Sequence, residues 1–194
     1  MEIKKAMQPS RRNFLKNTSF ATAGFFIVPR HVLGRGFIAP SDKLNVAGIG
    51  VGGKGSSDLA EFAKSPNVNV IGLCDVDDRQ AVKSRAAFPK AKYYKDFREM
   101  LEKEKKNIDA VSVSTPDHTH AVAALAAMQW GKHVYVQKPL THDIYEARML
   151  TKPAERYKVV TQMGNQGASG NGVRTMMEWY KAGLIGEAVD IYCW

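Results

Sequence analysis

Residues 50–55 constrain this chain more than any other stretch. Gly50-Val51-Gly52-Gly53-Lys54-Gly55 reads G-x-G-x-x-G. It follows an apolar run from Lys43 to Ile49 and precedes a stretch, Ser56 to Lys64, with Leu59, Phe62 and Ala63 at helical spacing. Each glycine has its own reason. The first allows a tight turn, the second exposes bare backbone to a ligand, and the third lets helix and strand pack closely. The helix N-terminus then presents unpaired N–H groups to a diphosphate. A second frame, Gly48, Gly50 and Gly53, also fits. The later frame is preferred because it leaves the strand whole through Ile49.

The rest of the chain repeats the alternation. Apolar runs at Val68–Cys74, Ile108–Ser114, His133–Val136 and Val159–Met163, with a short one at Tyr93-Tyr94, are separated by helix-patterned segments. Those segments are Asp77–Phe88, Phe97–Glu104, the Ala-rich Ala121–Gln129 closed by Gly131, and Ile144–Tyr157. Strands buried on both faces read as continuous apolar runs, and strand–helix alternation specifies a parallel sheet covered on both sides. The expected fold is a doubly wound α/β domain. Pro153 falls inside a helix, which it is expected to kink or to break near Thr151. From Gly164 the composition turns to a Gly-Asn-Gln loop, then a helix from Val173 to Ala182 and a strand from Ala188 to Trp194.

Asp75 ends the second run, 25 residues after Gly50. At about that offset a carboxylate bonds the adenosine ribose hydroxyls of a dinucleotide. It also repels a 2′-phosphate, which favours NAD, although Arg79 keeps NADP open. The plainer alternative is that Asp75 or Asp77 caps the following helix.

Charge says less than it first suggests. The 194 residues hold 28 Lys and Arg against 19 Asp and Glu, a net +9, which invites a nucleic-acid partner. Residues 1–40 carry seven of the basic groups (Lys4, Lys5, Arg11, Arg12, Lys16, Arg30, Arg35) and a single acid, Glu2. The remainder has an ordinary balance, so no nucleic-acid partner is expected. Ser10-Arg11-Arg12-Asn13-Phe14-Leu15-Lys16, followed by a weakly apolar stretch to Pro29, resembles a twin-arginine export signal. That address implies a periplasmic or otherwise exported protein that meets the membrane only in transit. No uncharged apolar run reaches the ~18 residues of a spanning helix. Two cysteines, Cys74 and Cys193, exclude a disulfide scaffold and a Cys-cluster zinc site.

Two further segments carry a resemblance. Asp109-Ala-Val-Ser-Val-Ser-Thr-Pro-Asp-His-Thr-His120 and Gly131-Lys-His-Val-Tyr-Val-Gln-Lys-Pro-Leu140 resemble the Gfo/Idh/MocA oxidoreductases. Tyr94-Lys-Asp-Phe-Arg-Glu-Met-Leu and Gln162-Met-Gly-Asn-Gln-Gly are similar to its exported bacterial members. The resemblance implies an NAD(P)-binding Rossmann domain joined to an α/β substrate domain, acting on sugars or cyclitols. It divides the chain into a leader (1–40), a Rossmann domain (41–163) and the truncated start of a substrate domain (164–194). Ser114, Thr115 and Pro116 would line the nicotinamide side, with His120 nearby. Lys138 matches the lysine of the family's Glu-Lys-Pro motif, which moves the substrate proton, with His120 assisting.

The implied cofactor-binding set is Gly50, Val51, Gly52, Gly53, Lys54, Gly55, Asp75, Ser114, Thr115, Pro116, His120, Gln137 and Lys138. No metal ligand is implied. Gln137 departs from the family's usual Glu, and Ala168 stands where exported members tend to carry His. Members exceed 300 residues, so Trp179, Tyr180 and Trp194 are expected to lack most of the sheet they pack on. A homo-oligomer is expected of the full-length protein.

Three activities fit: an NAD-dependent sugar oxidoreductase, a redox-neutral NAD-dependent glycosidase, or a catalytically silent dinucleotide-binding fragment. The leader reading has its own check: Arg11→Lys combined with Arg12→Lys should leave the protein in the cytoplasmic fraction, and unchanged export would refute the signal.

Overall fold

The computed structural model describes residues 38–192. The leader expected over 1–40 therefore lies, apart from its last three residues, outside the described residues. Residues 1–43 and 44–194 form separate units, and the first contributes a 3₁₀ turn at Pro40–Asp42.

The second unit is a parallel sheet of six strands with helices on both faces. Its strands are β1 (Leu44–Ile49), β2 (Val68–Cys74), β3 (Lys92–Tyr94), β4 (Ala110–Val113), β5 (His133–Gln137) and β6 (Thr161–Gly164). Its helices are α1 (Gly53–Phe62), α2 (Asp78–Ala87), α3 (Phe97–Lys103), α4 (His120–Gln129), α5 (Ile144–Tyr157) and α6 (Asn171–Lys181). The strand order is β3-β2-β1-β4-β5-β6, every neighbouring pair being parallel. This is the doubly wound order, in which the progression of strands reverses between β1 and β4 and opens a crevice at the strands' C-terminal ends.

Each sheet face has its own core. Leu59 of α1 and Ala81 of α2 close over Val46, Val70 and Leu73. On the other face Met100 and Leu101 of α3, the alanines of α4 and Leu150 of α5 close over Ile49, Val111, Val113, Val134 and Val136. The alanine-rich sequence of α4 now has a reason: Ala121, Ala123, Ala124 and Ala127 are all buried, and small side chains let the helix lie close to the sheet.

Two expectations fail. Pro153 does not break α5, which runs unbroken from Ile144 to Tyr157 and ends on the left-handed Lys158. The carbonyl left without a donor belongs to Met149, an exposed residue, so water can satisfy it. The strand expected from Ala188 does not form over residues 188–192, and residues 193–194 lie outside the description. A strand needs a ladder partner, and the described residues supply none there. Helix α6 buries no residue; Met176, Met177, Trp179 and Tyr180 are exposed.

A charge cluster ties β3 to the end of α3. Glu104 is buried, and its carboxylate accepts from Lys92 Nζ (2.6 Å), the Tyr94 hydroxyl (2.7 Å) and Asn107 Nδ2 (2.8 Å). The Lys92 ammonium first, then the Asn107 and Tyr94 donors, hold the Glu104 carboxyl down at about 2. A carboxylate depressed on folding stabilises above its ordinary value near 4.5, and that stabilisation is lost as pH falls toward 2. Glu104→Gln should therefore flatten the acid limb of the thermal midpoint between about pH 4.5 and 2. An acid limb as steep as wild type's would show that Glu104 contributes little.

Candidate functional site

The glycine loop enters the crevice already braced. The Gly50 N–H donates to the Cys74 carbonyl (2.8 Å), and the Val51 carbonyl accepts from Ser84 Oγ (2.6 Å), which α2 buries completely. Asp75 Oδ2 accepts from the N–H groups of Val51 (2.9 Å) and Gly52 (3.1 Å), while Oδ1 accepts from Asp77 N–H (3.0 Å). Capping of α2 falls instead to Asp77, whose side chain accepts from Arg79 N–H. The two roles left open by the sequence are thus divided: Asp77 caps, and Asp75 holds the loop.

The glycines discriminate between the two frames. Gly50 sits at φ +75°, and a Cβ there would lie 2.8 Å from the Ser114 backbone. A Cβ on Gly55 would lie 1.8 Å from the Gly50 carbonyl oxygen, so α1 can approach the turn only without one. Gly53 has open space and only a positive φ. These are the requirements of Gly50, Gly52 and Gly55, the later frame. The first turn of α1 leaves N–H groups without intrahelical acceptors, facing the crevice mouth with the positive end of the helix.

A cleft of about 630 Å³ lies in the crevice. Gly50, Gly52, Gly53 and Asp75 line one part of it, and Ser114, Thr115 and Pro116 another, while Val76, Phe97 and Ala123 provide apolar wall. That volume and mixture suit a nucleotide-sized ligand. The Thr115 hydroxyl is buried without a hydrogen-bond partner among the described residues, an unsatisfied group of the kind a ligand completes. Gly52 and Gly53, the Asp75 carboxylate and this hydroxyl all fit a dinucleotide. At the adenosine-ribose end the neighbouring cations are already engaged. The Arg79 guanidinium is clasped by Asp77 (2.8 Å), and Lys95 by Asp78 (2.7 Å). The Arg79 hydrogen bonds hold the Asp77 carboxyl down at about 2. Arg79 and Lys95 are thus both paired with carboxylates.

The other expected residues are brought together differently. His120, the first residue of α4, is 1 % exposed. Its Nδ1 lies 2.7 Å from the Pro139 carbonyl oxygen and its Nε2 2.8 Å from that of Thr115. Both nitrogens are occupied by backbone, so the ring staples the end of β4 to the Lys138-Pro139 segment and offers no nitrogen to a substrate. Lys138 is exposed, and its N–H donates to Gln137 Oε1 (3.2 Å). Lys54 turns its ammonium away from the loop onto Asp58 (2.6 Å).

Asp58 is the residue that motif reading missed. It is 4 % exposed on the inner face of α1. Its Oδ2 accepts from Ser114 Oγ (3.0 Å) and Gln137 Nε2 (2.7 Å), its Oδ1 from Lys54 Nζ and, at 3.5 Å, Gln166 Nε2. Gln166 also donates to the Tyr135 hydroxyl (2.7 Å). The signal was available: Asp58 lies three residues after Gly55, on the same helical face as a glycine required to pack.

Fold and crevice together define a dinucleotide-binding Rossmann domain. Residues 44–165 match the oxidoreductase family with an NAD-binding Rossmann fold, GFO_IDH_MocA, and the chain belongs to that family. A glycosyl hydrolase family 109 protein of Shewanella baltica is 30% identical over 91% of this chain, and so is an alpha-N-acetylgalactosaminidase of Shewanella oneidensis. The chain spans 44% of the length of each. GenD2 from gentamicin A biosynthesis, in complex with NAD, superposes with a TM-score of 0.59 and 28% identity, covering 63% of this chain and 34% of that one. Myo-inositol 2-dehydrogenase from Lactobacillus plantarum shares the fold, with a TM-score of 0.67, 24% identity, and 75% and 43% coverage.

The two glycine frames give opposite expectations for alanine. Gly55→Ala should destabilise by about 3 kcal/mol or more, because backbone must move. Gly53→Ala, strained only in φ, should lose about 1–2 kcal/mol. Urea unfolding of both variants checks this, and equal losses would refute the later frame.

Proposed function

We propose that this chain is the cofactor-binding part of an exported NAD-dependent enzyme that acts on a sugar or cyclitol. The observation that carries the reading is a cleft lined by the glycine loop, by the Asp75 carboxylate that braces it, and by Thr115, whose hydroxyl is unsatisfied. Bound NAD supplies a hydride acceptor at the nicotinamide ring. The chain supplies the rest. The α1 N-terminus takes the diphosphate, Asp75 the adenosine ribose, and Ser114, Thr115 and Pro116 border the nicotinamide end.

Lys138 is the proton carrier. When a carbinol carbon loses hydride, its hydroxyl must lose a proton, and the Lys138 amine accepts it. Its exposure suits this task, since an exposed lysine is free to meet substrate and becomes desolvated only when cofactor and substrate close over it. His120 acts through the backbone: by holding the Thr115 and Pro139 carbonyls it fixes where Lys138 starts. It is a positioning residue, a change from the proton-transfer role that the resemblance implied.

The similarity to family 109 glycosyl hydrolases favours a second reading, in which hydride is removed and returned within one cycle and a glycosidic bond is cleaved with no net redox change. An exported enzyme has no cytosolic pool to recycle NADH, which gives the same preference. Absorbance at 340 nm separates the two: a net oxidoreductase accumulates NADH, and a redox-neutral glycosidase releases a leaving group without it.

Lys138→Ala should keep NADH affinity within about twofold and lower turnover at least ~100-fold, the usual scale of a lost acid–base group. If wild-type chain fails to quench or enhance NADH fluorescence, the dinucleotide reading falls.

A further inference from the structure

Residue 137 departs from the Glu expected in the Glu-Lys-Pro motif, and the buried side of the site supplies a reason. Gln137 is 5 % exposed and faces the Asp58 carboxylate at 2.7 Å. An ionised carboxylate only accepts hydrogen bonds, so residue 137 must donate to it. The same side chain must also accept, because the Lys138 N–H donates to its Oε1. Glutamine meets both demands at this length. Glutamate meets only the second, and would put two carboxylates in contact in a buried site.

We propose that Asp58 and Gln137 form a charge-compensated positioning pair. Asp58 on α1 is the pair's carboxylate, and the neutral amide of Gln137 passes its orientation to the Lys138 backbone. The pair couples the helix that receives the diphosphate to the segment that carries the proton-transfer lysine. Its functional half rests on the reading above; its structural half does not.

Three further donors converge on the Asp58 carboxylate, from Ser114 just after β4, Gln166 in the turn after β6, and Lys54 on α1. The Tyr135 phenol on β5 is pushed up, by burial first and then by the Asp58 charge. A Cβ on Gly164 would lie 2.9 Å from Gln137 Nε2, so the glycine on β6 makes room for the amide where it stands. The titratable groups facing residue 137 are thus Asp58, Lys54 and Tyr135, with Lys138 adjacent.

Four proteins test the pair: wild type, Asp58→Asn, Gln137→Glu, and the double variant, which exchanges acid and amide. Thermal midpoints without cofactor are measured from pH 5 to 8, alongside NADH affinity by fluorescence. In Gln137→Glu the two carboxylates raise each other's protonation range, so its midpoint should fall further below wild type as pH rises. Its NADH affinity should drop about tenfold or more at pH 8 and partly recover at pH 5, in keeping with couplings measured between contacting groups. The double variant should return to within about threefold of wild-type affinity with a flat profile, because the amide introduced on α1 can donate where Gln137 did.

A Gln137→Glu protein as stable as wild type across the range overturns the pair, as does a double variant no better than the sum of its singles. If Gln137→Glu does not fold and the double variant does, that rescue is the expected coupling; if neither folds, the pair is refuted. Should wild type bind no NADH, the functional reading fails while the midpoints still decide the structural half.

Discussion

The molecule depends on how closely α1 can approach the turn that ends β1. A helix delivers its N-terminal N–H groups to a ligand only when its first turn lies against the strand that precedes it. Here that approach is so tight that no Cβ fits between Gly55 and the Gly50 carbonyl. The same approach brings the inner face of α1 over the C-terminal ends of β4 and β5. An acidic residue on that face is then buried and must be met by donors from every strand it crosses.

Much of the site follows from that contact. Asp75 and Ser84 set the loop's backbone from the β2 and α2 side, so its conformation does not wait for a ligand. Asp58 sets the positions of Ser114 and Gln137 from the α1 side. His120 completes the frame by tying Thr115 to Pro139. The hydrogen bonds of this frame thus join residues as many as 108 apart in sequence. A preorganised cleft of this kind loses less freedom on binding than a loop that must order around its ligand.

Legibility followed the range of the interaction. The glycine loop, the end of β2 and the alternation of strands and helices were readable because each is a local pattern with one dominant physical cause. Element ends agreed to within a few residues. Pro153 misled because its cost was counted without the exposed position that lets water take the freed carbonyl. The terminal strand misled because strand formation is a pairing event, and pairing is not local. His120 was assigned from the family resemblance, while the structure sets its two nitrogens against carbonyls of Thr115 and Pro139. Asp58 went unread because its one local sign, the three-residue offset from Gly55, gains meaning only with the close packing of α1.

What the sequence by itself determined was the class: a doubly wound, dinucleotide-binding domain of an oxidoreductase family, with its glycine loop between the first strand and the first helix. Those features recur as short motifs because backbone geometry and strand ends demand particular residues at fixed spacing. Only the tertiary structure decided which polar groups meet: that Asp77 and not Asp75 caps α2, that Lys54 turns to Asp58, and that the Gln137 amide donates to buried Asp58. The physical reason is that hydrogen bonds act over about 3 Å, and only folding brings residues so distant in sequence within that reach.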